Sequence, residues 1–229
     1  MKFLALDAST EACSVALSIN NQVISEFQLC PQSHSTVLLP MVDRLLNQAQ
    51  CSLSQLDGII FGQGPGSFTG IRIGVGVAQG LSFSTELPVV GVSTLQAMAQ
   101  QAHMKYGMSK VIAAIDARMS EIYTGYFQLN SAEIMSPVIE ETVLPPANLA
   151  EYLTGFTQQA YGVGTGWGAY QTQLSKLLIN QQPVDILYPD AKAMLAIGMA
   201  NFEQQATSAE YAQPVYVRDT VSWKKLPGR

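Results

Sequence analysis

Gly62-Gln-Gly-Pro-Gly-Ser-Phe-Thr-Gly-Ile-Arg-Ile-Gly-Val-Gly-Val-Ala-Gln-Gly80 leads from a predicted strand through a turn into a predicted helix. The apolar run before it, residues 56–61, has the length of a buried strand. Glycines and Pro65 then form a turn that bulky residues cannot follow, and Ser67 or Thr69 can cap the helix behind it. The stretch therefore predicts a tight strand–turn–helix unit, around which the rest of the chain can be arranged.

The predicted helix contains an unusual number of interior glycines. Each of them destabilises a helix by about 1 kcal/mol relative to alanine, so a compensating contact is expected. Gly70 and Gly74 are four residues apart and share one face, as do Gly76 and Gly80. A face without side chains allows another backbone to come very close, and we expect such a contact here.

The glycine-rich turn has two interpretations. Its backbone N–H groups are of the kind that cradles a phosphate before a helix. It is not a P-loop, because the Gly-Lys-Ser/Thr ending is absent and Arg72 does not replace that lysine. A tight strand-to-helix joint that serves packing is the interpretation we favour.

Composition limits the class of protein. The 229 residues suffice for one large domain or two small ones, and 48% apolar with 13% charged residues favours a globular core. A net charge of −5 gives no sign of a nucleic-acid-binding surface. No apolar run reaches the ~18 residues of a membrane helix, and the first residues enter a strand pattern directly. We therefore predict no membrane span and no signal peptide, and a cytoplasmic location.

Cysteines and histidines predict no metal site. Cys13, Cys30 and Cys51 are odd in number and lack the spacing of metal ligands, so we interpret them as small buried hydrophobes of a reduced protein. His34 stands at the start of a predicted helix, as a cap-region or interface residue. His103 is expected at a solvated helix end.

Strand and helix patterns repeat in two halves. The first half has three strands, a helix over residues 34–50, the strand and helix around the glycine-rich turn, and a further strand and helix. The pattern restarts near residues 105–109, runs through the same order, and ends in a long helix over 190–205. We predict two lobes, residues 1–104 and residues 105–229, with the last helix returning towards the joint.

Asp7 and Asp116 each end the first strand of their half. A duplicated βββαβα unit with an aspartate at that turn is typical of the α/β actin-like (ASKHA, ribonuclease H-like) fold. In that fold the two turns hold a nucleotide phosphate and its metal between the lobes. Asp7, Ser9, Thr10 and Asp116 are therefore the candidate nucleotide-binding residues.

Five motifs are distributed along the chain: Leu4-Ala-Leu-Asp-Ala-Ser-Thr10, His34-Ser-Thr-Val-Leu-Leu-Pro40, Gly64-Pro-Gly-Ser-Phe-Thr-Gly-Ile-Arg-Ile-Gly74, Val90-Gly-Val-Ser-Thr-Leu95 and Pro214-Val-Tyr-Val-Arg218. In these motifs the chain resembles the TsaB (YeaZ) family, most specifically over residues 64–74. The resemblance implies a bacterial partner of the paralogue TsaD and the ATPase TsaE, which together place a threonylcarbamoyl group on the adenosine beside the tRNA anticodon. It implies that TsaD carries the chemistry, that ATP/ADP and metal belong to TsaD and TsaE, and that tRNA is met through the complex.

Several residues agree with a non-catalytic role. Where TsaD-type sequences place a metal-binding His-x-x-x-His pair, this chain has Thr94 and Met98. The turn after Asp116 lacks glycines, and Arg118 and Met119 are expected to fill the space, so the nucleotide site is predicted to be vestigial. We assign no catalytic residue and no required cofactor. The alternative is an independent ATP-dependent enzyme of the actin-like superfamily, an ATPase or small kinase.

Two apolar rows on helix 34–50 and the glycine-rich helix beside it predict a docking face. Its residues are His34, Leu38, Met41, Leu45, Gly70, Ile73, Gly74, Val77 and Leu81. We expect this face to bury about 1,600 Å² in a two-fold homodimer, and to bind the TsaD paralogue in competition with self-association. The alternative is that both rows are covered within the first lobe by its own third helix.

Overall fold

The computed structural model describes residues 1–20, 22–155, 160–174, 177 and 185–218, and these form two sheets with helices around them. In chain order the first half contains β1 Lys2–Asp7, β2 Ala12–Ile19, β3 Gln22–Leu29, α1 His34–Gln48, β4 Gly58–Gly64, α2 Phe68–Thr85, β5 Val89–Ser93 and α3 Thr94–Tyr106. The second half contains β6 Lys110–Asp116, β7 Ile122–Leu129, β8 Met135–Leu144, α4 Leu149–Tyr152, β9 Tyr161–Val163, α5 Thr165–Ala169, α6 Gln171–Leu174 and α7 Ala191–Gln205.

The two sheets have the same topology. The first has the strand order β3-β2-β1-β4-β5, and the second has β8-β7-β6-β9. In each sheet the first strand of the half pairs antiparallel with the second and parallel with the fourth. The predicted duplication is therefore confirmed for the described residues, and the equivalent strands β1 and β6 end at Asp7 and Asp116.

Two helices are exchanged between the halves. Helix α3 belongs to the first half of the sequence, but its Leu95, Met98 and Ala99 share a core with strands β6 and β7. Helix α7 belongs to the second half, but its Met194 and Leu195 pack among residues of β1, β4 and β5. The predicted second-lobe range therefore contains a helix that covers the first sheet, because that sheet's apolar face needs a cover that its own half does not supply.

The glycines of α2 lie in two different environments, one tightly packed and one open. A Cβ at Gly70 would lie 2.2 Å from the carbonyl oxygen of Ala8, and one at Gly74 would lie 3.6 Å from the nitrogen of Ala8. The expected close backbone contact thus exists, and its partner is the chain's own turn after β1. Gly76 and Gly80 have no atom within 4 Å of a Cβ, so packing within the described chain does not explain them.

Alanine substitutions at the two kinds of glycine should have opposite effects on stability. We expect Gly70→Ala to lower the free energy of unfolding by about 1–3 kcal/mol, because its Cβ would collide with backbone that cannot move aside easily. Gly76→Ala, in open space on the same helix, should raise it by about 1 kcal/mol. Urea unfolding of both variants checks this, and effects of the same sign would contradict the assigned packing.

Candidate functional site

The turn after β1 is a buried polar cluster. Asp7 is 1% exposed and accepts hydrogen bonds at Oδ2 from the backbone N–H and the hydroxyl of Ser9, both at 3.1 Å. The hydroxyl of Thr94, at the start of α3, donates to the Ser9 hydroxyl at 2.9 Å. Burial raises the pKa of Asp7 to about 7, and its Oδ1 has no hydrogen-bond partner among the described residues. The carboxyl group is thus held in a place that disfavours its charge.

The glycine-rich turn packs directly on this cluster. The backbone N–H of Ser67 donates to the carbonyl oxygen of Ser9 at 2.7 Å. A Cβ at Gly66 would lie 2.1 Å from that same oxygen, and a Cβ at Gly62 would lie 1.9 Å from Asp7 Oδ1. The backbone N–H of Ser67, before the start of α2, therefore binds a carbonyl oxygen of the chain itself. In the phosphate-binding interpretation, an N–H group of this turn would bind a phosphate oxygen. The favoured interpretation, a tight joint that serves packing, is the one that this contact supports.

Asp116 lies at the matching end of β6 and is paired with protein groups. Tyr170 donates to its Oδ1 at 3.2 Å, and Arg118 lies 3.2 Å from its Oδ2. The Arg118 guanidinium also lies 3.3 Å from Glu11 of the first lobe, so it bridges the two halves. Arg118 does occupy the space beside Asp116, whereas Met119 is 55% exposed and does not fill it.

A segment near the end of the described chain crosses the joint between the two sheets. The backbone N–H of Val215 donates to the carbonyl of Gln63 at 2.8 Å, and Tyr216 accepts a hydrogen bond from Arg72 at 2.9 Å. Arg218 then forms an ion pair with Glu121 in the second half. Residues 213–218 therefore form a strap, which ties the glycine-rich turn to the turn after β6.

Comparison with known proteins identifies the family. The family model described as "TsaD: tRNA N6-adenosine threonylcarbamoyltransferase" matches residues 20–223. The tRNA threonylcarbamoyladenosine biosynthesis protein TsaB of Escherichia coli K12 is 44% identical, with 100% of both chains covered. The TsaB protein of Haemophilus influenzae is 41% identical over 100% of this chain and 98% of its own. The chain belongs to the TsaB (YeaZ) family.

A solved structure agrees with this assignment. YeaZ from Pseudomonas aeruginosa has a TM-score of 0.85 and 44% identity, covering 94% of this chain and 99% of that one. The predicted α/β actin-like fold is therefore confirmed for this TsaB-family chain. Among the described residues, no helix is long and apolar enough to span a membrane.

The TsaB-family chain places the candidate nucleotide residues in two groups. Asp7, Ser9 and Thr10 lie together and are all buried, at 1%, 0% and 4% exposure. Asp116 is only partly buried and lies at the end of β6, an interior strand of the other sheet. That these residues are a vestigial nucleotide site stays a prediction.

The predicted docking face is wrong for helix α1. His34, Leu38, Met41 and Leu45 are at most 8% exposed in the single chain. The three apolar residues pack in the core of the first half, because α1 lies on the sheet beside β2. The first lobe itself covers these residues, as the alternative states, but the cover is its sheet and not its third helix. The space beside Gly70 and Gly74 is likewise filled by Ala8, in the turn after β1.

Other residues of the same two helices remain accessible. Leu39 of α1 is 49% exposed and Phe83 of α2 is 84% exposed. The predicted residues Ile73, Val77 and Leu81 are half-buried at the margin of the core. Together with the open Gly76 and Gly80, these seven residues are called the α1–α2 surface below.

One cluster escaped the sequence analysis. Cys13, Cys30 and His34 are all buried, and their sulfur and ring-nitrogen atoms lie within 4.8 Å of one another. Linear spacing hides this proximity. The register of the β2–β3 hairpin reveals it, because Cys13 pairs with Gln28 and Cys30 follows two residues later on the same face.

The buried carboxyl of Asp7 should make stability depend on pH. Its pKa is raised from an ordinary 3.8 to about 7, so the folded state holds a proton that the unfolded state has released between these values. Stability due to this group is therefore fully present below about pH 4 and is lost as the pH rises towards 7. Asp7→Asn should remove this part of the slope, which approaches 1.4 kcal/mol per pH unit for one proton.

Denaturant unfolding of both proteins from pH 4 to pH 8 measures this slope. Glu141, whose pKa burial also raises to about 7, provides a control, since Glu141→Gln should remove a separate contribution in the same direction. Equal slopes for the unaltered chain and Asp7→Asn would contradict the burial of a protonated Asp7.

Proposed function

We propose that this chain is a required, non-catalytic subunit of the assembly that transfers a threonylcarbamoyl group to the adenosine beside the tRNA anticodon. In this proposal it acts in the cytoplasm, where it docks to a TsaD paralogue and activates it. The names of the curated relatives support the pathway. The observation that carries the non-catalytic role is the direct packing of the glycine-rich turn on Asp7 and Ser9.

The absence of a catalytic role in this subunit rests on how its polar groups are occupied. A catalytic acid or base must reach the reacting atoms, and Asp7 is 1% exposed with Gly62 packed against its carboxyl group. Thr94 and Met98, at the positions of the TsaD-type histidine pair, are fully buried, and Met98 belongs to the core under β6. We propose that this subunit requires no cofactor, and that ATP/ADP and metal are handled by TsaD and the TsaE ATPase.

Docking is assigned to the α1–α2 surface. Phe83 is among the most exposed large apolar residues described, and exposed apolar groups of this size often mark interfaces. Gly76 and Gly80 give a partner's backbone room to approach α2 closely. We propose that the surface binds TsaD in the complex and a second copy of this chain when TsaD is absent, so that the two partners compete. tRNA is met through the assembled complex.

Charge and bulk on the α1–α2 surface should prevent docking without unfolding the chain. We expect Phe83→Glu and Gly76→Leu to give folded monomers that no longer bind TsaD and no longer support tRNA modification. Met104→Glu is the matched control, because Met104 is 54% exposed on another helix. Sedimentation, co-purification with TsaD and a reconstituted modification assay measure the three effects. Normal dimerisation and TsaD binding by both variants would place the docking surface elsewhere.

Removing the two strand-end carboxylates should leave catalysis nearly intact. We expect Asp7→Asn and Asp116→Asn to retain modification activity within about tenfold in the reconstituted system, provided that the complex assembles. A thousandfold loss with normal assembly is the size expected for a catalytic group and would contradict the proposal. ATP turnover by the purified chain alone would instead support the alternative of an independent ATP-dependent enzyme.

A further inference from the structure

Cys13, Cys30 and His34 form a cluster that the proposed function does not use. Cys13 is the second residue of β2, Cys30 directly follows β3, and His34 is the first residue of α1. Their exposures are 0%, 5% and 8%, and the three donor atoms lie within 4.8 Å of one another. We propose that these three side chains form a binding site for one Zn²⁺ ion.

The donor set matches the chemistry of this ion. Two thiolates and an imidazole are ligands that Zn²⁺ prefers, with Zn–S near 2.3 Å and Zn–N near 2.0 Å. In a tetrahedral site these bond lengths put neighbouring donors about 3.5–3.8 Å apart, so donors within 4.8 Å need to move by about 1 Å or less. A disulfide between Cys13 and Cys30 would require the two sulfurs to approach to about 2 Å, which is a larger change. The fourth position is left to water.

The hydrogen bond of His34 favours metal binding. Its Nε2 lies 2.6 Å from the carbonyl oxygen of Thr10. A carbonyl only accepts, so Nε2 is the donor, and in the neutral imidazole Nδ1 is then the nitrogen with a lone pair for a metal. Histidine ligands of metals commonly donate their other ring N–H in this way, which sets the tautomer and the orientation of the ring.

Charge balance also suits a divalent ion. Cys13 and Cys30 are 0% and 5% exposed, so a thiolate at either position needs a cation beside it. Zn²⁺ would replace the two thiol protons, which pass to the solvent, and the resulting Zn²⁺, two thiolates and neutral imidazole carry no net charge. A neutral centre is the form that a buried site tolerates best.

The site would lie beside an exposed turn and would have a structural consequence. Pro31, Gln32 and Ser33, which lie between two of the ligands, are all exposed. Binding there would join β2, the end of β3 and the start of α1. The ion would therefore anchor the beginning of a helix that lies in the first half of the chain, whether or not that helix docks a partner.

Metal binding by the reduced full-length chain tests the assignment. We expect one Zn²⁺ per chain by elemental analysis, and, on titration with Co²⁺ alone, a thiolate charge-transfer band with the visible bands of a tetrahedral ion. Cys13→Ala, Cys30→Ala and His34→Gln should each weaken Zn²⁺ binding by at least about 100-fold in a chelator competition. Cys51→Ala is the matched control, because Cys51 is also buried but lies outside the cluster, and it should bind Zn²⁺ normally.

Two results would overturn the assignment. One is the absence of a stoichiometric thiolate–Co²⁺ spectrum from the unaltered reduced chain, a measurement that does not depend on whether any variant folds. The other is equal Zn²⁺ affinity in Cys13→Ala and Cys51→Ala. Zn²⁺ should also raise the melting temperature of the unaltered chain and of Cys51→Ala but not that of Cys13→Ala.

Discussion

The contact between the turn after β1 and the glycine-rich turn organises the first half of the molecule. The Ser67 N–H donates to the Ser9 carbonyl, and Gly66 and Gly70 leave no room for a side chain between the two backbones. The contact fixes where α2 begins and how closely it approaches β1. It also covers Asp7, whose carboxyl group is then too poorly solvated to hold its charge easily. The tight packing and the burial of Asp7 are thus two results of the same arrangement.

The duplicated halves depend on each other because they exchange helices. Helix α7 completes the core over β1, β4 and β5, while α3 completes the core over β6 and β7. Neither sheet keeps its apolar face covered by the residues of its own half alone. A cut in the chain near the predicted boundary at residues 104–105 would therefore leave two fragments with exposed cores, although the sequence repeat suggests two independent units.

The order of elements could be predicted from the sequence, since it depends on local pattern. The strand, turn and helix around Gly62–Gly80 and the repeat in the second half follow from apolar periodicity, turn residues and spacing. The docking residues on α1 could not be predicted in this way. Two apolar rows show that a helix buries a wide face, but not whether a sheet or another molecule covers it. For Leu38, Met41 and Leu45 the cover is the first half's own core.

The cysteine cluster illustrates a different limit. Seventeen positions along the chain separate Cys13 from Cys30, and only the pairing register of β2 with β3 brings them to one face. Spacing along the chain reveals ligands that lie within one segment, but not ligands that face each other across a pair of strands.

The strap over residues 213–218 determines how the two halves can move. Proteins that close around a ligand by domain motion need a hinge that opens and shuts. Here Val215 is bonded to Gln63 on one side of the joint, and Arg218 is paired with Glu121 on the other. Opening the halves would break these bonds as well as separate the exchanged helices. These contacts therefore resist a change in the angle between the two sheets, and they favour one fixed relative orientation.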